Sequence, residues 1–296
     1  MTIPKTVWMF WLQGFDQVAP LVQTCVSSWR ENNPDWTVQL LSADNIRDYL
    51  DPSLCDTLLA SSLPYKKIAN IFRVALIARH GGVWADADCF CAKPLDQWIH
   101  EAAPSGFFAF RFIEGDRWYL NGEKTLLERF ISKSDDRLMA NWFLAGEPGN
   151  HICTEFWPAH LRLLETAIAA RKNSHKAVRK KVVNELRRNA YLSSLMASEV
   201  FVTKVGKYPH YVFHYHFARF LRHDPVFRAI WEEVKPYSAK EALVYSKFLG
   251  LPVDDSFKND VRGGGMPVYK FHTRRTAPLQ EHKQTRYEWL QENFGR

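Results

Sequence analysis

The chain has 296 residues, 46% hydrophobic, 14% aromatic and 24% charged, a globular composition long enough for one large α/β domain or two small ones. Five cysteines, odd in number and without paired spacing, exclude a disulfide framework, and the longest apolar runs are too short to span a bilayer. The net charge of +7 favours acidic partners such as phosphates, anionic lipid headgroups or acidic glycans. Nucleic acid is set aside, because the basic residues concentrate in one helix and no nucleic-acid-binding module is present.

Met1 runs to a first strand without a basic-then-apolar leader, which predicts no signal peptide. A cytoplasmic location follows, with peripheral contact on the inner face of the membrane as its variant. Thr6 to Leu12 is a continuous apolar run between Pro4 and Gly14, the pattern of a buried parallel strand. Val18 to Arg30 reads as a helix with Pro20 near its start, Asn32 to Asp35 as a turn, and Trp36 to Leu41 as a second strand. Ala43 to Leu50 and Pro52 to Ala60 read as short helices. This alternation predicts a parallel sheet covered by helices.

Lys66 to His80 carries the clearest helical period. Ile68, Ile71, Phe72, Ala75 and Leu76 form one face, with the Arg79 stem along its edge. Asn70 and Arg73 fall together on the opposite face, where they are expected to reach a ligand without disturbing the packing. Gly81 supplies the stop. Gly106 to Phe112 and Leu138 to Leu144 read as further strands. After His151 the chain reads as mainly helical, ending in a strand or extended tail at Val268 to His272 behind the loop Gly263-Gly264-Gly265.

The most informative stretch is Gly81-Gly82-Val83-Trp84-Ala85-Asp86-Ala87-Asp88. Two glycines end a helix, a short apolar strand follows, and two carboxylates emerge one residue apart. In an extended chain both Asp side chains point to one side. Two carboxylates at a strand end suit a hard divalent cation carrying phosphate oxygens.

Several segments, in order, resemble the DXD sugar-binding glycosyltransferases of family 32, closest to the bacterial capsular polysaccharide synthesis proteins. They are Ile3-Pro4-Lys5-Thr6-Val7-Trp8 with Trp11-Leu12-Gln13-Gly14, Ser28-Trp29-Arg30 with Asn33-Pro34-Asp35-Trp36, and Ala69-Asn70-Ile71-Phe72-Arg73. The Gly81–Asp88 stretch, Asn141-Trp142-Phe143-Leu144-Ala145 and Pro148-Gly149-Asn150 complete the set. The second half matches faintly, at Phe213-His214-Tyr215 and Tyr269-Lys270.

The resemblance implies an α/β fold of GT-A type. A Rossmann-like mixed sheet flanked by helices would form a nucleotide-sugar-binding core over residues 1–150. A mainly helical acceptor-side region with the C-terminal tail would follow over 151–296, within the same compact domain. It implies retaining transfer of a sugar from a nucleotide sugar, UDP-sugar favoured, to a glycan or lipid-linked acceptor of capsule or lipopolysaccharide type. The implied cofactor is a divalent metal, Mn2+ with Mg2+ as alternative. By the same resemblance Asp88 is the direct metal ligand, and Asp86 contacts the metal shell and the ribose or sugar. Trp11 stacks on the base, and Arg73, Asn70 and Asn141 contact the donor. Asn70 stands where the family usually has Asp, which removes a charge-assisted hydrogen bond. Asp-x-Asp binds the donor and does not attack the sugar, so no nucleophile is named.

Lys270 and His272 lie after the glycine loop; by the same resemblance a tail there would close the cleft and neutralise the diphosphate, and otherwise it is an ordinary surface tail. His210, His214 and His216 share one face if residues 209–217 are a strand. They read as core or edge histidines, since a zinc site would need a further ligand. Cys89 and Cys91 read as reduced and half-buried in a strand. Arg171, Lys172, Lys176, Arg179, Lys180, Lys181, Arg187 and Arg188 make a basic helix with an apolar stripe at Val178, Val182 and Leu186. It is either a docked helix with a wet basic side or a contact for an anionic membrane or acidic acceptor. The rival functions are another metal-dependent phosphate-handling enzyme and an inactive glycosyltransferase-like scaffold.

Overall fold

The computed structural model describes residues 2–112, 138–170, 182–183, 190–208, 210–272 and 284–295. The strands in chain order are β1 (Thr6–Phe10), β2 (Thr37–Leu41), β3 (Gly82–Ala85), β4 (Cys89–Cys91), β5 (Phe107–Arg111), β6 (Met139–Gly146) and β7 (Val268–Lys270). The helices are α1 (Pro20–Asn32), α2 (Pro52–Ala60), α3 (Tyr65–His80), α4 (Ile99–Ala102), α5 (His151–Ala170), α6 (Ala190–Leu195), α7 (Glu199–Val205), α8 (Val212–His223), α9 (Pro225–Glu233), α10 (Ala239–Ala242), α11 (Asp255–Asn259) and α12 (Arg286–Phe294). Among the described residues no helix is long and apolar enough to cross a membrane.

The main sheet has the order β2-β1-β3-β6-β5. β1 runs parallel to β2 and β3, whereas β6 is antiparallel to both β3 and β5. This is the mixed, helix-flanked α/β sheet of GT-A type that the resemblance implied. A separate ribbon pairs β4 with β7 antiparallel, placing Lys270 opposite Cys89. The β-α-β alternation made the parallel half readable; the antiparallel insertion of β6 has no local sequence signal.

The join between α3 and β3 shows why two glycines stand there. Gly81 caps α3 at φ +66°, its N–H on the Ile77 carbonyl at 2.9 Å. The Gly81 carbonyl accepts the Trp8 indole N–H at 2.8 Å. Gly82 has φ +91°, and a Cβ there would lie 2.6 Å from the Thr6 carbonyl oxygen of the adjacent strand. Gly82→Ala is therefore expected to cost ~2 kcal/mol or more from backbone strain and the clash, read as a drop of roughly 3–6 °C in melting temperature. An unchanged melting temperature would contradict the close β1–β3 approach.

Two expectations from sequence are corrected. Ala43 to Leu50 keeps only the single 3-10 turn Ile46–Asp48. Local side chains hold it as a turn: the Ser42 N–H donates to Asn45 Oδ1 at 2.8 Å and the Asp44 N–H to Ser42 Oγ at 3.1 Å. Residues 212–217 are helical rather than extended, inside α8. The basic run 171–188 lies outside the described residues, apart from Val182 and Val183.

His216 of α8 instead meets His160 of α5, with Nδ1 atoms 3.1 Å apart beside Phe156. Burial depresses both histidines, His216 to about 3 and His160 well below its usual value. Each also faces the other's helix and nearby basic groups: Lys67 and His214 for His160, Arg219 and Arg162 for His216. The unfolded chain binds these protons near pH 6.5 and the native state does not. Stability from the pair is thus complete above about pH 6.5 and is lost as pH falls toward about 3. Urea unfolding at pH 8 and pH 5 should differ by about 2 kcal/mol on account of His216, with His160 acting in the same direction. His216→Leu should shrink that difference; an identical pH dependence in the variant would contradict the assignment.

Candidate active site

β1, β2 and β3 end on one edge of the sheet, and antiparallel β6 begins there. Open α/β sheets bind ligands at this carboxyl edge. Asp86 follows β3 directly, its N–H donating to the Trp142 carbonyl of β6 at 2.8 Å. The Cys89 N–H then donates back to the Asp86 carbonyl at 2.8 Å. Residues 86–89 are therefore a turn, not the extended segment assumed from sequence, and it is the turn that aims both carboxylates at one point.

The turn is clamped from two sides. Just past β7, the Phe271 N–H donates to the Asp88 carbonyl at 2.9 Å. From α1, Trp29 Nε1 donates to the Cys89 carbonyl at 2.8 Å, and Ser28 Oγ accepts the Cys91 N–H at 3.0 Å. Asn33 Nδ2 caps α1 through the Trp29 carbonyl at 3.0 Å while its Oδ1 accepts the Leu95 N–H at 2.7 Å. The Ser28-Trp29 and Asn33 segment is thus a brace for the strand behind the Asp pair. Cys89 and Cys91 are fully buried rather than half-buried, and burial pushes both thiols up.

Lys270 Nζ contacts Asp88 and pairs with Asp86 at 3.2 Å. Asp86 also pairs with Arg73 at 3.2 Å and accepts the Trp84 indole N–H at 2.9 Å. Arg73 lies 5.2 Å from the Trp84 ring centroid, donates through Nε to the Ala69 carbonyl at 3.2 Å, and donates to the Asn141 carbonyl. Asn141 Nδ2 donates to Asn70 Oδ1 at 3.1 Å. Asn70 and Arg73 are 6% and 5% exposed, so the polar face of α3, set opposite the apolar stripe by the helical period, is buried as well. Burial raises the Asp86 carboxyl, but Arg73 and Lys270 outweigh it and hold it below the usual range. Burial also lowers the Lys270 ammonium; Asp88 and Asp86 outweigh that and leave it raised.

The donor set fits a divalent cation on one observation: the two carboxylates already converge on a single positive charge. Magnesium-type sites commonly use one or two carboxylates and complete their shell with substrate phosphates and water. Among the described residues no group of three or more His, Cys, Asp or Glu converges, so a cation here would rely on such outside ligands.

Of the residues singled out from sequence, Asn70, Arg73, Asp86, Asp88, Asn141 and Lys270 form one connected network. Trp11 stands half-buried in the turn after β1, at the same sheet edge, its N–H on the Leu41 carbonyl at 2.9 Å. His272 is half-buried two residues past Lys270. Trp84 went unrecognised as a site residue, because in sequence it is one more apolar residue of a buried strand; only its N–H, two residues before Asp86, hinted at a partner.

Comparison with known proteins finds glycosyltransferases among the relatives of this chain. O-glycosyltransferase braB of Annulohypoxylon truncatum is 34% identical over 107 residues, covering 32% of this chain and 25% of that protein. A putative glycosyltransferase, HOC1 of Saccharomyces cerevisiae (strain ATCC 204508 / S288c), is 24% identical over 177 residues, covering 57% and 41%. The initiation-specific alpha-1,6-mannosyltransferase of Candida albicans (strain SC5314 / ATCC MYA-2876) is 28% identical over 103 residues, covering 32% and 27%. The chain thus spans between 25% and 41% of the length of these relatives. The profile of a family described as capsular polysaccharide synthesis protein matches residues 1–162, more than half of the chain and all of the network except Lys270. The chain belongs to the capsular polysaccharide synthesis protein family.

Proposed function

We propose that this protein is a glycosyltransferase that moves a sugar from a nucleotide-sugar donor to a glycan acceptor. One observation carries the reading: Asp86 and Asp88, turned together at the carboxyl edge of the parallel strands, converge on one cation position with Arg73 behind them. Asp88 and Asp86 would hold a divalent metal, Mn2+ or Mg2+, which as a Lewis acid offsets charge on the departing diphosphate. Arg73, Asn70 and Asn141 line the same edge and would orient the donor sugar by hydrogen bonds. Trp11, at the end of β1, would stack on the base. Lys270 would meet the diphosphate, and His272 would lie beside it. The protein's share of the rate is positioning and exclusion of water.

A capsule- or lipopolysaccharide-type acceptor belongs to the same reading, its capsule form supported by the description of the matching family, and retention of configuration goes with it through the resemblance to family 32. UDP-sugars remain the favoured donors, and GDP-mannose joins them because one relative is named a mannosyltransferase. Location at the inner face of the membrane is the corresponding expectation for a lipid-linked acceptor. A thermal-shift screen of UDP- and GDP-sugars, with and without MnCl2, tests the proposal. The expected result is a rise in melting temperature with one nucleotide sugar, larger with manganese, followed by transfer or slow hydrolysis of that sugar. A shift without either reaction would indicate an inactive scaffold. No shift with any of them would overturn the donor site.

A further inference from the structure

We infer that Lys270 is a built-in placeholder cation, whose ammonium holds the position between Asp86 and Asp88 that a divalent ion would take, so that ion and ammonium exclude each other there. The inference rests on the reading of the Asp pair as a metal-assisted donor site, and it adds a consequence: metal alone binds weakly, and metal and diphosphate bind together.

Charge balance is the first argument. Four side chains make up the network's charge: Arg73 and Lys270 positive, Asp86 and Asp88 negative. They sum to zero without any ligand. They are also shielded, with side-chain exposures of 6% for Arg73, 9% for Lys270, 17% for Asp88 and 26% for Asp86. A divalent ion entering alone would leave two positive charges uncompensated in a place with little water, which is costly. A diphosphate ester brings two negative charges and restores neutrality. Binding of the two is therefore coupled, and by linkage each strengthens the other by the same factor.

The second argument is mechanical. The Lys270 backbone cannot retreat, because β7 is paired to β4 and the Phe271 N–H holds the Asp88 carbonyl at 2.9 Å. Its ammonium sits on a flexible four-carbon stem. Rotation of that stem frees the carboxylates while keeping the charge beside the site, where an incoming diphosphate would accept it. The same ammonium thus serves the carboxylates before the donor arrives and the phosphates afterwards.

The test is a titration of the protein with MnCl2 alone, without nucleotide, read by loss of the free Mn2+ EPR signal and by melting temperature. Lys270→Met keeps the length and removes the charge. It should bind Mn2+ at least tenfold tighter than wild type and gain more melting temperature from it. Lys270→Gln, which retains a hydrogen-bond donor for one carboxylate, should behave likewise and serves if the Met variant folds poorly. Lys270→Arg should stay as weak as wild type. Adding Asp88→Asn to Lys270→Met should abolish the gain. In chelator, UDP or GDP should bind Lys270→Met more weakly than wild type. Equal Mn2+ affinity in wild type and both neutral variants would overturn the placeholder and leave the donor site standing. No Mn2+ binding by any form, even with UDP or GDP present, would overturn both.

Discussion

Asp88→Asn is expected to yield a folded protein that no longer gains stability from manganese and transfers no sugar. The amide keeps the shape of the side chain and can still accept from Lys270. The turn around it is held by backbone bonds, Phe271 N–H to the Asp88 carbonyl and Cys89 N–H to the Asp86 carbonyl, which the substitution leaves alone. What disappears is the negative charge a hard cation requires. Lewis-acid stabilisation of a leaving diphosphate is worth several kcal/mol, so transfer should fall by roughly 100-fold or more. Free nucleotide should still bind weakly. Glu101→Gln is the control, since that carboxylate is 72% exposed and pairs with Lys235 at the surface. Full wild-type activity in chelator, or wild-type transfer by Asp88→Asn, would remove the metal assignment.

The site was legible where chemistry and chain neighbourhood coincide. Gly81 and Gly82 announced a helix stop and a tight entry into β3, and both have positive φ. The Asp pair announced a cation. The nature of its convergence was not legible, because the turn at 86–89 depends on β6 and β7, whose pairing residues lie far along the chain. Lys270 is 182 residues from Asp88; the faint Tyr269-Lys270 match and the glycine loop before it drew attention to it as a diphosphate contact, but its pairing with the Asp carboxylates has no local signal.

The histidines of α8 illustrate a different loss. Val212-Phe213-His214-Tyr215-His216-Phe217 is compatible with both a strand and a helix, and aromatic residues tilt a local reading toward strand. Packing of Phe213, His216 and Phe217 around Phe156 of α5 decides for the helix. Ser28, Trp29 and Asn33 were visible as a motif, yet their role as a brace for β4 appears only with their partners in place. A motif can therefore mark the scaffold of a site as readily as its ligand contacts.

Arg73→Ala is expected to lower stability as well as donor binding, the reverse of what its place on α3 suggests from sequence. Helical periodicity sets Arg73 opposite the apolar stripe, and a polar residue there reads as wet. In the folded chain its guanidinium is enclosed, with Asp86 at 3.2 Å, the Ala69 carbonyl at 3.2 Å, the Asn141 carbonyl and the Trp84 ring as partners. Removing one member of a buried pair typically costs 3–5 kcal/mol, because the other charge stays behind unpaired. Asp86 retains Lys270 and is 26% exposed, so ~2–4 kcal/mol is the expectation here. Arg73→Lys would keep the charge and lose the fork that reaches Asp86 and two carbonyls at once, and should fall between wild type and Ala. Urea unfolding, paired with donor titration on the fraction that remains folded, separates the two effects. An unchanged unfolding midpoint for Arg73→Ala would return this arginine to the solvent face. Lost stability with full donor affinity would make it a strut for Asp86 alone. Loss of both places it where its contacts put it, between the core of α3 and the carboxylate edge.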